Sequence, residues 1–433
     1  MISPAILLLA ALAVQAAPAS QSPPTMVSGG QRGLDMVMVD AEAMPKEPEL
    51  APDLPDVPDE EWSGAPVDLL KPINPIYTEL RRGLVRYQMK WSGLPQVRIP
   101  TGAPLKAGAT GKRAELLRQR LGLKAADPLL PAPFDAALTA KLREFQQAHG
   151  LPVDGIAGGG TIAALNRGPT YYERLITLNM ERARRLPAPG MPNSRKYILI
   201  DAGSARLTMF EDGRAVDSMR VVVGKAETKT PMMAALMRYV NVNPYWNIPP
   251  DMAQTLIAPR VLAQGPQYLT DRRYQVLDSW EDDARVLDPA TIDWNAVASG
   301  ARELRVRQLP GGNNSMGEIK FMLPNEWGIY LHDTPNRLPF EPAADRFISN
   351  GCVRLEDARR LARWIFGDMP RADSPDAEQR VDLPEALPVY MTYFTVGVDQ
   401  AGAVAFRPDP YSRDAPLMAK MDPLAPIAKT SSR

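Results

Sequence analysis

The stretch Lys196-Tyr197-Ile198-Leu199-Ile200, continued through Leu207, Met209, the turn Asp212-Gly213 and the return run Met219, Val221 and Val223, sets the fold class. Apolar residues at every second position on either side of a Gly-containing turn predict hairpins with one buried face. Further strands are expected at Tyr239 to Val242, Ile319 to Leu323, Ile329 to His332 and Val389 to Thr395. One helix is expected from Leu355 to Phe366, where Leu355, Ala358, Leu361, Ala362 and Ile365 share a face. Residues 195–400 therefore read as a predominantly β domain. Its strands are interrupted over about 250–315 by Leu256, Val261, Leu262 and Tyr268, then Trp280, Trp294 and a Gly311-Gly312 loop, which predicts an inserted cap.

Outward from this core the texture changes. Residues 1–19 carry an apolar run from Ala5 to Val14 followed by small residues, the pattern of an export signal, with cleavage expected after Ala16 or Ala19. About ten apolar residues are too few for the ~20 that span a bilayer, so no membrane span is expected after cleavage. Residues 20–65 are rich in Pro and acids with little to bury, which predicts a disordered linker. In the helical segment 66–106, Ile76, Leu80, Leu84 and Tyr87 follow one stripe. Residues 107–168 predict a compact three-helix unit in which Asp135 caps the helix of Leu138, Leu142 and Phe145, Gly150 stops it and Asp154-Gly155 turns the chain. A connecting helix and linker fill 169–194, and the Pro-rich residues 401–433 read as a tail. The fold class is multidomain α+β.

The 433 residues carry 50 Lys+Arg against 50 Asp+Glu, so no net field draws the chain to nucleic acid. Cys352 is the only cysteine, which rules out an internal disulfide and a Cys-rich zinc site. Taken alone, a single Cys is more often a small buried hydrophobe than a nucleophile; its surroundings argue otherwise. Cys352 precedes the expected helix, whose N-terminus would lower the thiol pKa. Gly351 permits a tight turn, and the Gly351 and Cys352 N–H groups suit a tetrahedral oxyanion. His332, one of only two histidines, ends a strand twenty residues upstream, and an imidazole beside the sulfur would form a thiolate–imidazolium pair for acyl transfer. His149 reads as a packing residue of the three-helix unit.

These residues resemble the catalytic core of the YkuD-type L,D-transpeptidases, whose pattern is an upstream His and then Ser/Thr-His-Gly-Cys. Here it reads His332, then Ser349-Asn350-Gly351-Cys352-Val353-Arg354, with Asn350 in place of the usual second histidine and Arg354 departing from the residue common at its position. Val242 to Pro250 and Tyr330 to Pro335 extend the likeness to the cap-bearing periplasmic branch. Phe145-Gln146-Gln147, His149-Gly150-Leu151, Asp154-Gly155, Thr161 and Leu165-Asn166 resemble the small peptidoglycan-binding helical domain. The resemblance implies a periplasmic cysteine enzyme without a cofactor or metal. Such an enzyme attacks the L-centre carbonyl of a tetrapeptide stem, releases D-Ala, and passes the acyl group to a neighbouring amine as a 3→3 cross-link. It implies acylation by carbapenems, and stem peptides, glycan, cell-wall synthases and carboxypeptidases as partners. Tyr330 and Trp246 match substrate-groove positions, although either is equally readable as core. Asp333 either orients His332 or caps the following turn; Ser349 reads as a loop stabiliser; Arg346 and Arg354 are candidate carboxylate contacts. A cysteine peptidase of wall peptides and a non-catalytic wall anchor are the competing readings.

Overall fold

The computed structural model describes residues 36–38, 73–124, 133–190, 195–281, 283–325, 327–371, 377–399 and 401–421. The expected signal peptide lies outside them, as does most of the acidic linker. Within that linker Met36–Met38 is a strand, laid parallel to Met232–Ala234.

Alternation builds the central sheet. Lys196–Asp201, Arg206–Glu211 and Arg214–Gly224 form a meander whose first turn, at Asp201 to Arg206, and second, at Asp212-Gly213, bring Lys196 opposite Glu211 and Glu211 opposite Arg214. Asp212 and Gly213 both take positive φ, as a two-residue hairpin turn requires. Met232–Val242 pairs antiparallel with Gln379–Thr392, which pairs parallel with Lys196–Asp201, so the sheet closes on itself. Ile198, Ile200, Leu207, Met209, Met219 and Val221 point into this barrel and meet Phe321, Leu331, Val353 and Leu355 from the short strands that complete it. The opposite faces of the same strands, at Tyr197, Leu199, Phe210 and Tyr390, pack on helices.

Those helices share one core with the barrel. Pro75–Tyr87, capped by Asn74 Oδ1 on the Ile76 N–H at 2.9 Å, packs along Pro169–Ala183. The three-helix unit, Lys112–Arg120, Ala136–Ala148 and Gly159–Arg167, joins them. Asp135 caps its second helix as expected, accepting from the Leu138 N–H at 2.8 Å. His149 is buried there, with Nδ1 donating to Phe145 O at 2.8 Å, Nε2 facing the Tyr87 hydroxyl at 3.1 Å, and its ring stacked on Phe145. Burial lowers its pKa to about 4, so it serves packing as a neutral ring.

Three expectations change. Residues 401–421 are not a tail. Val396–Val398 and Val404–Phe406 form a hairpin that lays Phe406 on His149, Tyr411 is buried, and Asp414–Lys420 is a helix anchored by Asp414 to Arg182 at 2.8 Å. Pro408 and Pro410 only shape the connection between them. The helix expected from Leu355 begins at Ala358, capped by Asp357 on the Arg360 N–H, because Val353–Leu355 is claimed by two neighbouring strands. The cap begins earlier than residue 250: Trp246–Ile248 is already part of its four-stranded sheet, with Arg305–Gln308, Tyr274–Leu277 and Val286–Leu287. Ile248, Ile257, Leu269, Val276 and Val306 form a core of the cap's own.

Candidate active site

Strand register assembles the site. Leu331–His332 runs parallel to Val353–Leu355, with Leu331 opposite Val353 and His332 opposite Arg354, and antiparallel to Ile319–Met322, with Lys320 opposite His332. Since neighbours in register share a face, Leu331, Val353, Leu355 and Phe321 enter the barrel, and Lys320, His332 and Arg354 face away from it. Tyr330 and Cys352 stand one residue before these strands, and Cys352, half-buried, packs against the barrel core. Tyr330 packs against the cap core.

His332 is buried, and its Nδ1 lies 2.6 Å from the Asp333 carbonyl oxygen. A carbonyl only accepts, so Nδ1 carries the proton and Nε2 is left as the basic nitrogen. Burial, with Arg354 and Lys320 nearby, lowers the imidazole pKa to about 3. The Asp333 carboxylate does not touch the imidazole. It holds Arg337 at 2.9 Å and accepts from the Glu318 N–H at 3.1 Å, so Asp333 fixes the turn with its side chain and the imidazole with its backbone.

Cys352 is half-buried, with Sγ 3.7 Å from the Gly328 carbonyl oxygen. Burial raises the thiol pKa, opposed by the Tyr330 N–H and hydroxyl and by the Lys320 and Arg354 charges. Burial therefore works against the expected thiolate–imidazolium pair, pushing both groups toward their neutral forms. Nor does a helix dipole act on the sulfur, because the strand Val353–Leu355 separates it from the helix start at Ala358.

Ser349 stabilises the loop, its Oγ donating to Cys352 O at 2.7 Å and accepting from the Gly351 N–H at 3.1 Å. The Gly351 N–H is thus already engaged, which leaves the Cys352 N–H as the amide at the sulfur for which no acceptor stands among the described residues. Gly351 has φ +115°, which L side chains rarely adopt, and a Cβ there would crowd Ile329 Cδ1 at 3.0 Å, so a substitution at this position is strained. Asn350 is exposed, and its Nδ2 lies 3.2 Å from Met252 Sδ of the cap. Trp246 lies in the cap core beside Tyr274, with little surface left for a ligand, which favours its packing role. Tyr330 meets His332 edge to face at 5.7 Å, and burial raises its pKa. No hydrogen bond of the Arg354 guanidinium stands among the described residues, and burial lowers its pKa, opposed by the thiol and the Tyr330 phenol. The Arg346 Nε is buried without an acceptor among those residues.

Sequence reasoning missed Lys320 and Thr230. Lys320 is buried, 3.3 Å from Glu378 and 4.9 Å over the Tyr330 ring. The signal was a lysine inside the apolar alternation of Ile319 and Phe321. Thr230 Oγ1 donates to Gly351 O at 2.8 Å and accepts from the Gly224 N–H at 2.9 Å, pinning the Cys loop to a distant turn. Nothing local in the sequence marks that bond.

A lone thiol just before one strand and a basic imidazole nitrogen on its neighbour, with two cations nearby, are the parts that a cysteine acyl-transfer site uses. Residues 195–371 match the YkuD family, the L,D-transpeptidase catalytic domain, and residues 119–165 match a family described as "putative peptidoglycan binding domain". The chain therefore carries a YkuD-type L,D-transpeptidase catalytic domain preceded by a peptidoglycan-binding helical domain. It is 32% identical over 254 residues to a "putative L,D-transpeptidase" of Haemophilus influenzae, across 57% of this chain and 50% of that protein, so it spans about half the length of that relative. Among solved structures, an L,D-transpeptidase from Mycobacterium smegmatis is 13% identical, across 46% of this chain and 58% of its own, with a TM-score of 0.23. One from Xylanimonas cellulosilytica is 17% identical, across 67% and 98%, with a TM-score of 0.19.

Proposed function

We propose that this chain is an L,D-transpeptidase that forms 3→3 peptidoglycan cross-links through a thioester on Cys352. The observation that most supports this reading is the parallel register of Leu331–His332 with Val353–Leu355, the strand that begins directly after Cys352. His332 Nε2 removes the thiol proton as Sγ bonds to the donor carbonyl carbon. The oxyanion that forms lies near the Cys352 N–H and the Tyr330 hydroxyl. On collapse the C–N bond to D-Ala breaks, and its nitrogen takes the proton from the imidazolium. An acceptor amine then attacks the thioester, the C–S bond breaks, and the proton it sheds returns to sulfur through the imidazole.

Arg354 is the contact for a donor carboxylate, and Lys320 holds the Tyr330 ring. The cap excludes water, which would otherwise divert the acyl-enzyme to hydrolysis. The helical domain holds the chain on the wall, in the periplasm, where synthases and carboxypeptidases supply strands and tetrapeptides. Among the described residues no helix is long and apolar enough to cross a membrane.

The test is intact-mass measurement after mixing with a carbapenem, then muropeptide analysis with tetrapeptide substrate. Wild type should gain one adduct, mapped to Cys352, and yield cross-linked dimers; Cys352→Ala should do neither. Dimers made by Cys352→Ala would overturn the nucleophile, release of D-Ala with hydrolysed tripeptide alone would make the enzyme a carboxypeptidase, and an inert wild type that binds sacculi would make it an anchor.

A further inference from the structure

Far from the thiol, a cleft of about 470 Å³ opens between the last helix of the three-helix unit and the strap that precedes its first helix, lined by Arg98, Arg113 and Arg167 and by no carboxylate. We propose that this cleft binds the carboxylates of peptidoglycan stem peptides, an inference that rests on reading the helical domain as a wall-binding module.

The cleft is built by specific bonds. The strap is fastened to the helix Gly159–Arg167 by Asn166, which accepts from the Ile99 N–H and donates to the Ile99 carbonyl, both at 2.9 Å. Its other end is fastened by Arg113, which donates to Pro100 O at 3.0 Å and Ala103 O at 2.8 Å. Gly102 makes room for this: a Cβ there would lie 2.8 Å from Arg113 Nη1. Arg167 is held against the Tyr171 ring at 5.0 Å. Arg113 thus spends Nε and Nη1 on the strap and keeps a buried, unpartnered Nη2, while Arg167, set by the ring, and Arg98 are the groups whose planar guanidinium suits a carboxylate.

Three like charges around one cleft repel one another unless an anion joins them. In uncleaved peptidoglycan the sugars are neutral N-acetylhexosamines, and the free carboxylates lie on the stems. The ligand class is therefore the acidic peptide rather than the sugar. The strap, Arg113 and Arg167 all lie outside the residues matched as the wall-binding family, 119–165, so the site belongs to this chain's own elaboration of the module.

The experiment uses the full chain with Cys352→Ala, to prevent turnover, in a sacculus pull-down titrated with competitors. Adding Arg98→Gln and Arg167→Gln together should weaken retention about tenfold, as expected for two lost charge-assisted contacts, whereas Arg214→Gln, on an exposed strand end, should not. Free stem tetrapeptide should displace the protein, and chitotetraose or inorganic phosphate at the same concentration should not. Undiminished retention of the double variant, equal weakening by Arg214→Gln, or equal displacement by chitotetraose or phosphate would each overturn the site. A parent chain that fails to bind sacculi at all would overturn the module reading itself, a result distinct from any of these.

Discussion

Acid should destabilise this protein through its two histidines before its carboxylates begin to titrate. His149 and His332 are both buried, and burial holds them at about 4 and about 3. In the unfolded chain each binds a proton near the ordinary value of about 6.5. As pH falls below that value the unfolded state gains protons that the folded state refuses, so stability drops, and the loss keeps growing until pH passes the folded values. At about pH 5.5 each histidine sits roughly one unit below its unfolded value, a loss of about 1.4 kcal/mol apiece relative to about pH 7.5. Urea unfolding at the two pH values, for wild type and for His149→Gln and His332→Gln, isolates each contribution. Each variant is less stable overall, but its pH penalty should be smaller than that of wild type by about 1.4 kcal/mol. A variant with the wild-type pH penalty would refute the reasoning, because its imidazole would then be protonated in the folded protein.

Asp333→Asn should leave turnover within about tenfold of wild type, because the carboxylate serves Arg337 and the Glu318 N–H rather than the imidazole, whereas His332→Ala should cost about a hundredfold or more; steady-state kinetics on a tetrapeptide donor separate the two. Phe406→Ala should lower unfolding free energy by about 3 kcal/mol, since the ring is buried among Tyr87, His149 and Tyr172; a change under about 1 kcal/mol in urea would return residues 401–421 to the status of a tail. Met252→Gly, which removes the cap side chain touching Asn350, should speed alkylation of Cys352 by iodoacetamide without altering the far-ultraviolet spectrum; an unchanged rate would mean that the cap does not limit access.

How much of this was legible in the sequence depends on how far apart the interacting residues lie. The hairpins around Asp212-Gly213 and the cap on Leu138 are local, and alternation or a side-chain oxygen three residues away suffices to find them. The candidate roles of His332 and Cys352 were legible as chemistry, from the rarity of both residues, whereas the register that sets His332 opposite Arg354, two places past the cysteine, was not. What sequence misjudged was set by remote partners. Val353–Leu355 has the apolar content of a helix start but is a strand because strands on both sides bind it. The Gly351 N–H was assigned to an oxyanion, yet the Ser349 hydroxyl takes it. The thiol was expected to be acidic from a nearby helix, while burial against the barrel core moves it the other way. Prolines hid Phe406 and Tyr411, whose partners are His149 and Gly224.

The core that the helices share with the barrel carries a mechanical consequence. Pro169–Ala183 lies against Pro75–Tyr87 on one side and, through Asn179 and Arg182, is bonded to Thr395 and Asp414 on the other, so the helices that lead to the arginine cleft are packed on the barrel. If the cleft grips a sacculus as proposed, this packing would make the protein a gauge: the thiol would reach strands at an offset set by the dimensions of the protein itself.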